Sequence, residues 1–217
     1  MTAYLEHVEL FAGLAAAQLE ALARGAPLRV FPRGAVVVNA GDDGHGLFVV
    51  QSGSVKVFLT DESGRELTLC ILDPGEYFGE LALLDDAPRS ASVMTLERCE
   101  LLQVPRHTFL ALIESNHESM HVVLRNLVRR IRALTENVQA FALEDVFGRI
   151  HRLLDSLAVP QGDHRVIERR LTQQEIANLV GASREMVNRI VRDLVVGGYL
   201  SIEPQRLVLL RKLPARW

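Results

Sequence analysis

The sequence predicts an α+β protein with a β-rich N-terminal domain, one long helix, and a C-terminal domain of short helices and a β-hairpin. Two observations lead to this prediction. Short β-branched segments separated by turn signals fill residues 35–104, and neither Gly nor Pro occurs between residues 106 and 147. We expect the three parts to span residues 1–114, 115–143 and 144–217.

The N-terminal domain is expected to be a β-sandwich or a small barrel. An Ala/Leu helix over residues 15–23 precedes strands that are separated by turns such as Asp73-Pro74-Gly75. Strands this short and this evenly separated are typical of such folds and not of βαβ units. The expected strands are Ala35–Val38, Leu47–Val50, Val55–Leu59, Leu67–Leu72, Ala91–Met94 and Glu100–Val104.

The long helix carries an apolar seam. Ser115 and Glu118 form an S-x-x-E capping box that predicts its start, and the helix is expected to continue to Leu143. Apolar residues then alternate at spacings of 4 and 3, which is the heptad pattern of a coiled coil. An apolar stripe can also pack a helix against the core of its own domain. Here the stripe is narrow and strictly 3.5-periodic, which favours packing against the same helix of a second copy of the chain. The seam consists of Met120, Leu124, Leu127, Ile131, Leu134, Val138 and Phe141.

Charge is unevenly distributed along the chain. Residues 146–217 carry 12 Lys and Arg against 7 Asp and Glu, whereas residues 1–145 carry 12 against 20. This asymmetry indicates that only the C-terminal part meets a polyanion. No signal peptide or bilayer-spanning apolar segment is visible, and the two cysteines, Cys70 and Cys99, form no C-x-x-C pair. We therefore expect a cytoplasmic protein with no membrane partner, no metal and no iron–sulfur cluster.

Residues 75–93 have the chemistry of a sugar-phosphate site. Gly79 leads into an expected helical turn, whose free N–H groups favour an anion. The Arg89 guanidinium suits a phosphate, Ser90 adds a hydroxyl, and the Glu80 carboxylate can accept from a ribose hydroxyl. The same two charges would also suit an ion pair at the rim of a loop. No catalytic triad, Walker loop or catalytic carboxylate pair is visible, so we do not expect an enzyme.

The C-terminal domain is predicted to be a helix-turn-helix with a β-hairpin wing. A hinge is expected at residues 144–146, where Asp145 caps a helix to about residue 157, and residues 158–164 are expected to be a surface loop. Thr172 opens the first helix of the motif with a capping box, Gly181 supplies the turn, and Ser183 caps the second helix. Residues 197–202 and 206–210, joined by residues 203–205, are expected to form the wing.

Polar residues of the second helix share its outward face. Arg can bind guanine bidentately and Glu can accept from cytosine. This face therefore predicts contact with double-stranded DNA. The residues expected to contact DNA are Thr172, Gln173, Ser183, Arg184, Glu185, Asn188 and Arg189.

The segment F-G-E-L-A-L from Phe78, followed after five residues by R-S-A-S-V-M-T from Arg89, resembles the cyclic-nucleotide-binding signature. Over nearly its whole length the chain resembles bacterial transcription regulators of the cyclic-AMP receptor protein (catabolite activator) family. That resemblance implies a cyclic-nucleotide-binding β-roll of jelly-roll type, a dimerisation helix and a winged helix-turn-helix. It also implies an activator that acts as a homodimer with DNA and RNA polymerase and takes a cyclic nucleotide, cyclic AMP first, as its effector.

The resemblance implies that Glu80 holds the ribose 2′-hydroxyl, while Arg89 and neighbouring groups hold the cyclic phosphate. In the family a Thr-Ser pair on the long helix contacts adenine, and Leu134-Thr135 stands there in this sequence. One hydroxyl is absent, so the adenine preference stays open. The implied ligand-binding residues are Gly79, Glu80, Leu81, Arg89, Ser90, Ala91, Leu134 and Thr135.

The family's base-reading set is present as Arg184, Glu185 and Arg189, which implies a palindromic site with TGTGA-like halves. Gln173 stands where the resemblance suggests a phosphate-binding Arg, so we expect lower affinity for the DNA backbone. Two alternatives stay open. The same architecture would serve a regulator gated by another ligand, such as cyclic di-GMP, or by none. A cyclic-nucleotide regulatory subunit that acts on a protein partner is the alternative from a different class.

Overall fold

The structure is a computed structural model that describes residues 5–11, 13–162, 164–169, 171–204 and 206–214. It divides into two compact units, and the boundary between Ile131 and Arg132 lies inside the long helix. The predicted α+β class is confirmed, since each unit combines helices with antiparallel sheet. No described helix is both long enough and apolar enough to cross a membrane.

In the described part of the first unit, a helix precedes eight strands in two sheets, and a single-turn helix lies between the sixth and seventh strands. All six predicted strands are present within one or two residues of the expected bounds, whereas β1 and β6 were not predicted. β6 is only two residues long and β1 is largely exposed, so neither shows the alternation that marks a strand. The elements are α1 (Ala16–Gly25), β1 (Leu28–Phe31), β2 (Val36–Val38), β3 (Gly46–Ser52), β4 (Val55–Thr60), β5 (Glu66–Leu72), β6 (Tyr77–Phe78), α2 (Leu81–Leu84), β7 (Ser92–Thr95) and β8 (Cys99–Pro105).

The sheets have the strand orders β1-β8-β3-β6 and β2-β7-β4-β5, and all pairs are antiparallel. Strand β3 is buried on both faces because successive side chains point to opposite sides. Leu47 and Val49 face a core shared with helix α1, while Phe48 and Val50 belong to the second core of the unit. In that second core the Phe48 and Phe78 rings stack with centroids 5.2 Å apart.

Two helices, not one, follow β8: α3 (Arg106–Ser115) and α4 (His117–Leu143). Ser115 ends α3, and its hydroxyl donates to the Ala111 carbonyl at 2.6 Å. The side-chain oxygen of Asn116 accepts from the N–H groups of Glu118 at 2.9 Å and Ser119 at 3.1 Å. The predicted start at a Ser115 capping box is therefore wrong by one residue, because the Asn116 carbonyl satisfies the same free donors.

Helix α4 leaves an apolar stripe exposed on the single chain. Val122 and Val123 are buried, and Met120 and Leu127 pack partly against the first unit's own core. The other five residues of the predicted seam, together with Val128, are 38–66% exposed. This stripe is Leu124, Val128, Ile131, Leu134, Val138 and Phe141.

The second unit continues with α5 (Val146–Leu157), β9 (Val159–Gln161) and β10 (His164–Ile167). Asp145 caps α5 as predicted, since its Oδ1 accepts from the Gly148 N–H at 2.8 Å. The predicted surface loop over 158–164 is wrong, because β9 and β10 pair as a hairpin. Pro160 is tolerated there since β9 is an edge strand, where one N–H is not needed for pairing.

The helix-turn-helix and wing complete the second unit. They consist of α6 (Gln173–Val180), α7 (Arg184–Val196), β11 (Leu200–Ile202) and β12 (Leu207–Leu209). The predicted wing is confirmed, and it extends the β9–β10 hairpin into a sheet of order β11-β12-β10-β9. Buried residues of α5, α6, α7 and this sheet form one core. That core holds α7 in place and leaves its opposite face in solvent.

Candidate functional site

Arg89 lies inside the first unit, tied to two backbone carbonyls. Its guanidinium donates to the oxygen of Gly79 at 2.6 Å and to that of Gly46 at 2.5 Å, and the residue is only 6% exposed. Burial lowers the pKa of Arg89, and the nearby carboxylates of Glu80 and Asp42 oppose that shift. The Nε atom is buried with no hydrogen-bond partner among the described residues. A buried guanidinium with an unused donor is suited to bind an anion.

Gly79 makes the close approach to Arg89 possible. Its φ is +89°, a conformation that side chains disfavour. A Cβ atom at this position would lie 2.3 Å from Nη1 of Arg89. The glycine is thus required both for the turn and for the space that the guanidinium occupies.

Glu80 faces the long helix. The residue is 1% exposed, and its Oε1 forms an ion pair with Arg130 of α4. Arg130 also donates to the Tyr77 carbonyl and lies 5.5 Å from the centroid of the Tyr77 ring, whose hydroxyl accepts from Asn126 at 3.0 Å. Oε2 of Glu80 is buried without a hydrogen-bond partner in the described part of the chain. One carboxylate oxygen is therefore held by the helix, and the other is left as an acceptor.

The predicted helical turn after Gly79 is the single turn α2, with Glu80 at its N-cap. Because α2 has only four residues, its dipole is short, and the positive charge at this site comes from the guanidinium groups of Arg89 and Arg130. Leu81 and Ser90 are exposed beside the pocket, and Ala91 is buried. The structure thus brings together Gly79, Glu80 and Arg89.

Leu134 and Thr135 belong to the second unit, where both are exposed on α4. Their contact with a ligand, like the ligand-binding role of the other predicted residues, stays a prediction. No group of three or more His, Cys, Asp or Glu among the described residues is arranged to hold a metal ion.

Sequence reasoning missed Arg130. Arg130 lies seven residues after the buried Val123, two turns along the same helix face. A charge on the buried face of an amphipathic helix needs a partner, and that signal was available in the sequence. Cys70 on β5 feels the charges of Arg130 and Glu80, but burial is the main effect and raises its pKa to about 11.

The helix-turn-helix is built by the predicted caps. Thr172 Oγ1 accepts from the Glu175 N–H at 3.2 Å, and the Glu175 carboxylate accepts from the Thr172 N–H at 2.6 Å. Gly181 adopts φ +59° at the turn, and Ser183 Oγ accepts from the Met186 N–H at 3.2 Å. These caps explain where α6 ends and where α7 begins.

The predicted DNA-contacting residues lie at the start of these two helices. All are exposed except Gln173, which is half-buried. Gln173 Nε2 donates to Asn188 Oδ1 at 3.4 Å, and Arg189 Nη2 lies 3.0 Å from the Met186 sulfur. The exposed residues are Thr172, Ser183, Arg184, Glu185, Asn188 and Arg189.

The turn of the motif is tied to the end of α4. Arg149 donates through Nε to the Val180 carbonyl and through Nη1 to the Glu144 carbonyl, both at 2.8 Å. Its guanidinium lies 5.3 Å from the centroid of the Phe141 ring. A Cβ on Gly181 would lie 2.7 Å from Cε1 of that ring. The last turns of α4 are thus packed directly against the turn that positions α7.

Comparison with known proteins identifies two domains. Residues 28–116 match the cyclic nucleotide-binding domain, and residues 148–215 match the Crp-like helix-turn-helix domain. The chain is 32% identical over 213 residues to the CRP-like cAMP-activated global transcriptional regulator of Mycobacterium tuberculosis, covering 96% of this chain and 95% of that protein. It is 35% identical over 195 residues to the Cyclic AMP receptor protein of Thermus thermophilus, covering 90% and 89%.

The solved structure of the c-di-GMP responsive global regulator CLP of Xanthomonas campestris is also similar. It has a TM-score of 0.78 and 27% identity, covering 91% of this chain and 100% of that one. The relatives are transcription regulators, and the pocket and helix-turn-helix described above fall within the two matched domains. This chain belongs to the CRP family of cyclic-nucleotide-responsive, DNA-binding transcription regulators.

Proposed function

We propose that this protein is a homodimeric, cyclic-AMP-responsive activator that binds palindromic DNA with TGTGA-like halves. The observation that carries the ligand proposal is a pair of buried polar atoms, Oε2 of Glu80 and Nε of Arg89, that have no hydrogen-bond partner among the residues that the structure describes. A cyclic nucleotide supplies what both lack, since its ribose hydroxyl can donate to the carboxylate and its phosphate can accept from the guanidinium. Cyclic AMP is the named effector of the two sequence relatives.

The exposed stripe of α4 supports the dimer. Five of its six large apolar side chains, all but Val128, lie on a heptad seam, which is typical of a helix that packs against its own copy. Two copies would then present two α7 helices, as a palindrome requires. Arg184, Glu185 and Arg189 are the residues proposed to read each half.

The proposed mechanism is a population shift. Arg130 joins α4 to one oxygen of Glu80. A nucleotide that binds the second oxygen of Glu80 would therefore influence the position of the long helix through this ion pair. The end of that helix packs on the turn between α6 and α7 through Phe141 and Arg149. Ligand binding would therefore favour one arrangement of the recognition helices. RNA polymerase is the proposed protein partner, to be tested by transcription in vitro.

Calorimetry against cyclic AMP, cyclic GMP and cyclic di-GMP tests the effector. Arg89→Lys is the informative variant, because a lysine keeps the charge but replaces the planar guanidinium, with its five donors on three nitrogens, by one ammonium nitrogen. We expect at least roughly tenfold weaker binding of cyclic AMP by a folded protein. Unchanged affinity would contradict the assignment of Arg89.

A gel shift on a TGTGA-type palindrome tests the DNA site. Arg184→Ala and Arg189→Ala should each cost ~1–3 kcal/mol of binding and relax base preference at one guanine. Absence of any shift would favour a regulatory subunit acting on a protein partner.

A second candidate is the same regulator gated by cyclic di-GMP. The similar structure from Xanthomonas campestris is that of a c-di-GMP responsive regulator, and Leu134 removes one hydroxyl from the expected adenine contact. Tighter binding of cyclic di-GMP than of cyclic AMP in the same calorimetric series would select this candidate.

A further inference from the structure

Asn188 occupies the middle of the exposed face of α7. It follows Arg184 by four residues and Glu185 by three, so the three side chains are neighbours on one side of the helix. Asn188 is exposed, and it is the only residue of α7 with a side-chain amide. The proposed base-reading set of Arg184, Glu185 and Arg189 therefore surrounds a group with different hydrogen-bonding chemistry.

A second amide reaches Asn188 from the neighbouring helix. Gln173, the half-buried first residue of α6, donates from Nε2 to Asn188 Oδ1 at 3.4 Å. This contact engages one lone pair of the Asn188 oxygen and leaves its second lone pair and the Nδ2 donors for another partner. It also restricts rotation of the amide, so less conformational entropy is lost when the group binds.

An asparagine with one acceptor and one donor available matches adenine, whose N6 donates and whose N7 accepts in the major groove. We propose that Asn188 reads an adenine in each half-site and that Gln173 is its positioning residue. This inference rests on the proposed DNA-binding function and adds a base preference to it. It also gives Gln173 a role other than binding phosphate.

Selection of sites from a randomised DNA pool tests the proposal. The wild type should select adenine at one position of each half-site, and Asn188→Ala should lose that preference by about 5- to 150-fold, which corresponds to ~1–3 kcal/mol. Asn188→Asp keeps the shape of the side chain but cannot donate to N7, so it should lose the adenine preference as well.

Gln173→Ala separates positioning from phosphate binding. A positioning residue should weaken the adenine preference at the same position as Asn188→Ala does. A phosphate-binding residue would instead lower affinity for all sequences equally and leave base preference intact, which would overturn the role proposed for Gln173. The matched control is Gln174→Ala, which removes a similar amide pair, to Asn178 at 2.8 Å, within α6. This control should leave base preference unchanged.

The outcomes distinguish this inference from the function on which it rests. Because Asn188 is exposed, its variants should fold, and circular dichroism should match the wild type. If the wild type selects a defined palindrome and Asn188→Ala selects the same bases, the inference is wrong and the proposed function stands. If the wild type selects no sequence, both are overturned.

Discussion

The Arg130 guanidinium on α4 forms an ion pair with one oxygen of the Glu80 carboxylate, whereas the other oxygen of Glu80 has no partner among the described residues. The pair joins the long helix to Glu80 within the first unit. One oxygen of the Glu80 carboxylate therefore makes a structural contact, and the other can accept a hydrogen bond from a ligand. The long helix is therefore part of the pocket wall.

Arg130→Met should weaken binding of cyclic AMP on the order of tenfold or more and lower the melting temperature. The substitution leaves a buried carboxylate without its counter-charge, which is costly. Calorimetry and thermal unfolding measure the two effects. The matched control is Arg125→Met on the same helix, which removes an exposed pair with Glu9 at 3.9 Å and should change neither quantity appreciably. Equal behaviour of the two variants would refute the role given to Arg130.

Cys70 should make stability fall with pH in the alkaline range. Burial raises the pKa of its thiol from 9.0 to about 11, so the unfolded chain loses this proton at lower pH than the folded chain. The contribution of Cys70 to the free energy of unfolding is complete below pH 9.0 and is lost as the pH rises towards about 11. It is at most ~2–3 kcal/mol.

Urea unfolding of the wild type and Cys70→Ala at about pH 8 and about pH 10.5 measures this effect. Burial also raises the pKa values of Tyr77 and Cys99, so the wild type loses stability for several reasons and only the difference between the two proteins is informative. We expect the wild type to lose more stability than Cys70→Ala. Parallel losses would show that the Cys70 thiol does not contribute.

Gly181→Ala should destabilise the second unit by ~1–3 kcal/mol, from the strain of a positive φ and from contact with the Phe141 ring. Gly162→Ala is the control, because Gly162 has φ +60° and, among the described residues other than its chain neighbours, no atom within 4 Å of its Cβ position. Chemical unfolding should show the larger loss for Gly181→Ala. In a protein that carries Phe141→Ala, the Gly181→Ala substitution should cost less free energy of unfolding than in the wild type. Equal costs in the two backgrounds would mean that the ring contact is unimportant.

Leu134→Thr should lower DNA binding without ligand and sharpen the response to cyclic AMP. Burying Leu134 against a second copy would stabilise the dimer by roughly 1.5–3 kcal/mol without nucleotide, whereas a threonine hydroxyl would seek a partner that adenine provides. Titration of one operator with and without nucleotide measures both effects. Leu134→Val has nearly the shape of threonine without its hydroxyl, so it should lower ligand-free binding but leave the cyclic AMP response as weak as in the wild type.

Much of the architecture followed from local signals in the sequence. Most strands between Val36 and Pro105 were predictable because turn residues separate them, although the two-residue strand β6 was missed. Asp145, Thr172 and Ser183 cap the helices that they were expected to cap. The sequence pattern is less reliable where two neighbouring residues could both cap the same helix. Asn116 replaced Ser115 at the start of α4 because both side chains suit a cap and only three-dimensional packing decides between them.

The pocket was predictable in part. Gly79, Glu80 and Arg89 lie close together in sequence, and the residue types indicate a sugar-phosphate site. Arg130 is separated from Glu80 by 50 positions, so their pairing depends on the packing of α4 on the first unit. The hairpin containing Pro160 was missed for a similar reason, since an edge strand tolerates a residue that usually indicates a loop.

The apolar stripe of α4 has a consequence for how the protein responds to its own abundance. Exposure of this stripe favours association of two chains, and each chain has one α7 helix. If a palindrome is bound by two chains, then below the dissociation constant of the dimer a tenfold fall in protein level lowers operator occupancy about a hundredfold. Gene dosage and dilution at cell division would then act on transcription as steeply as a cooperative ligand.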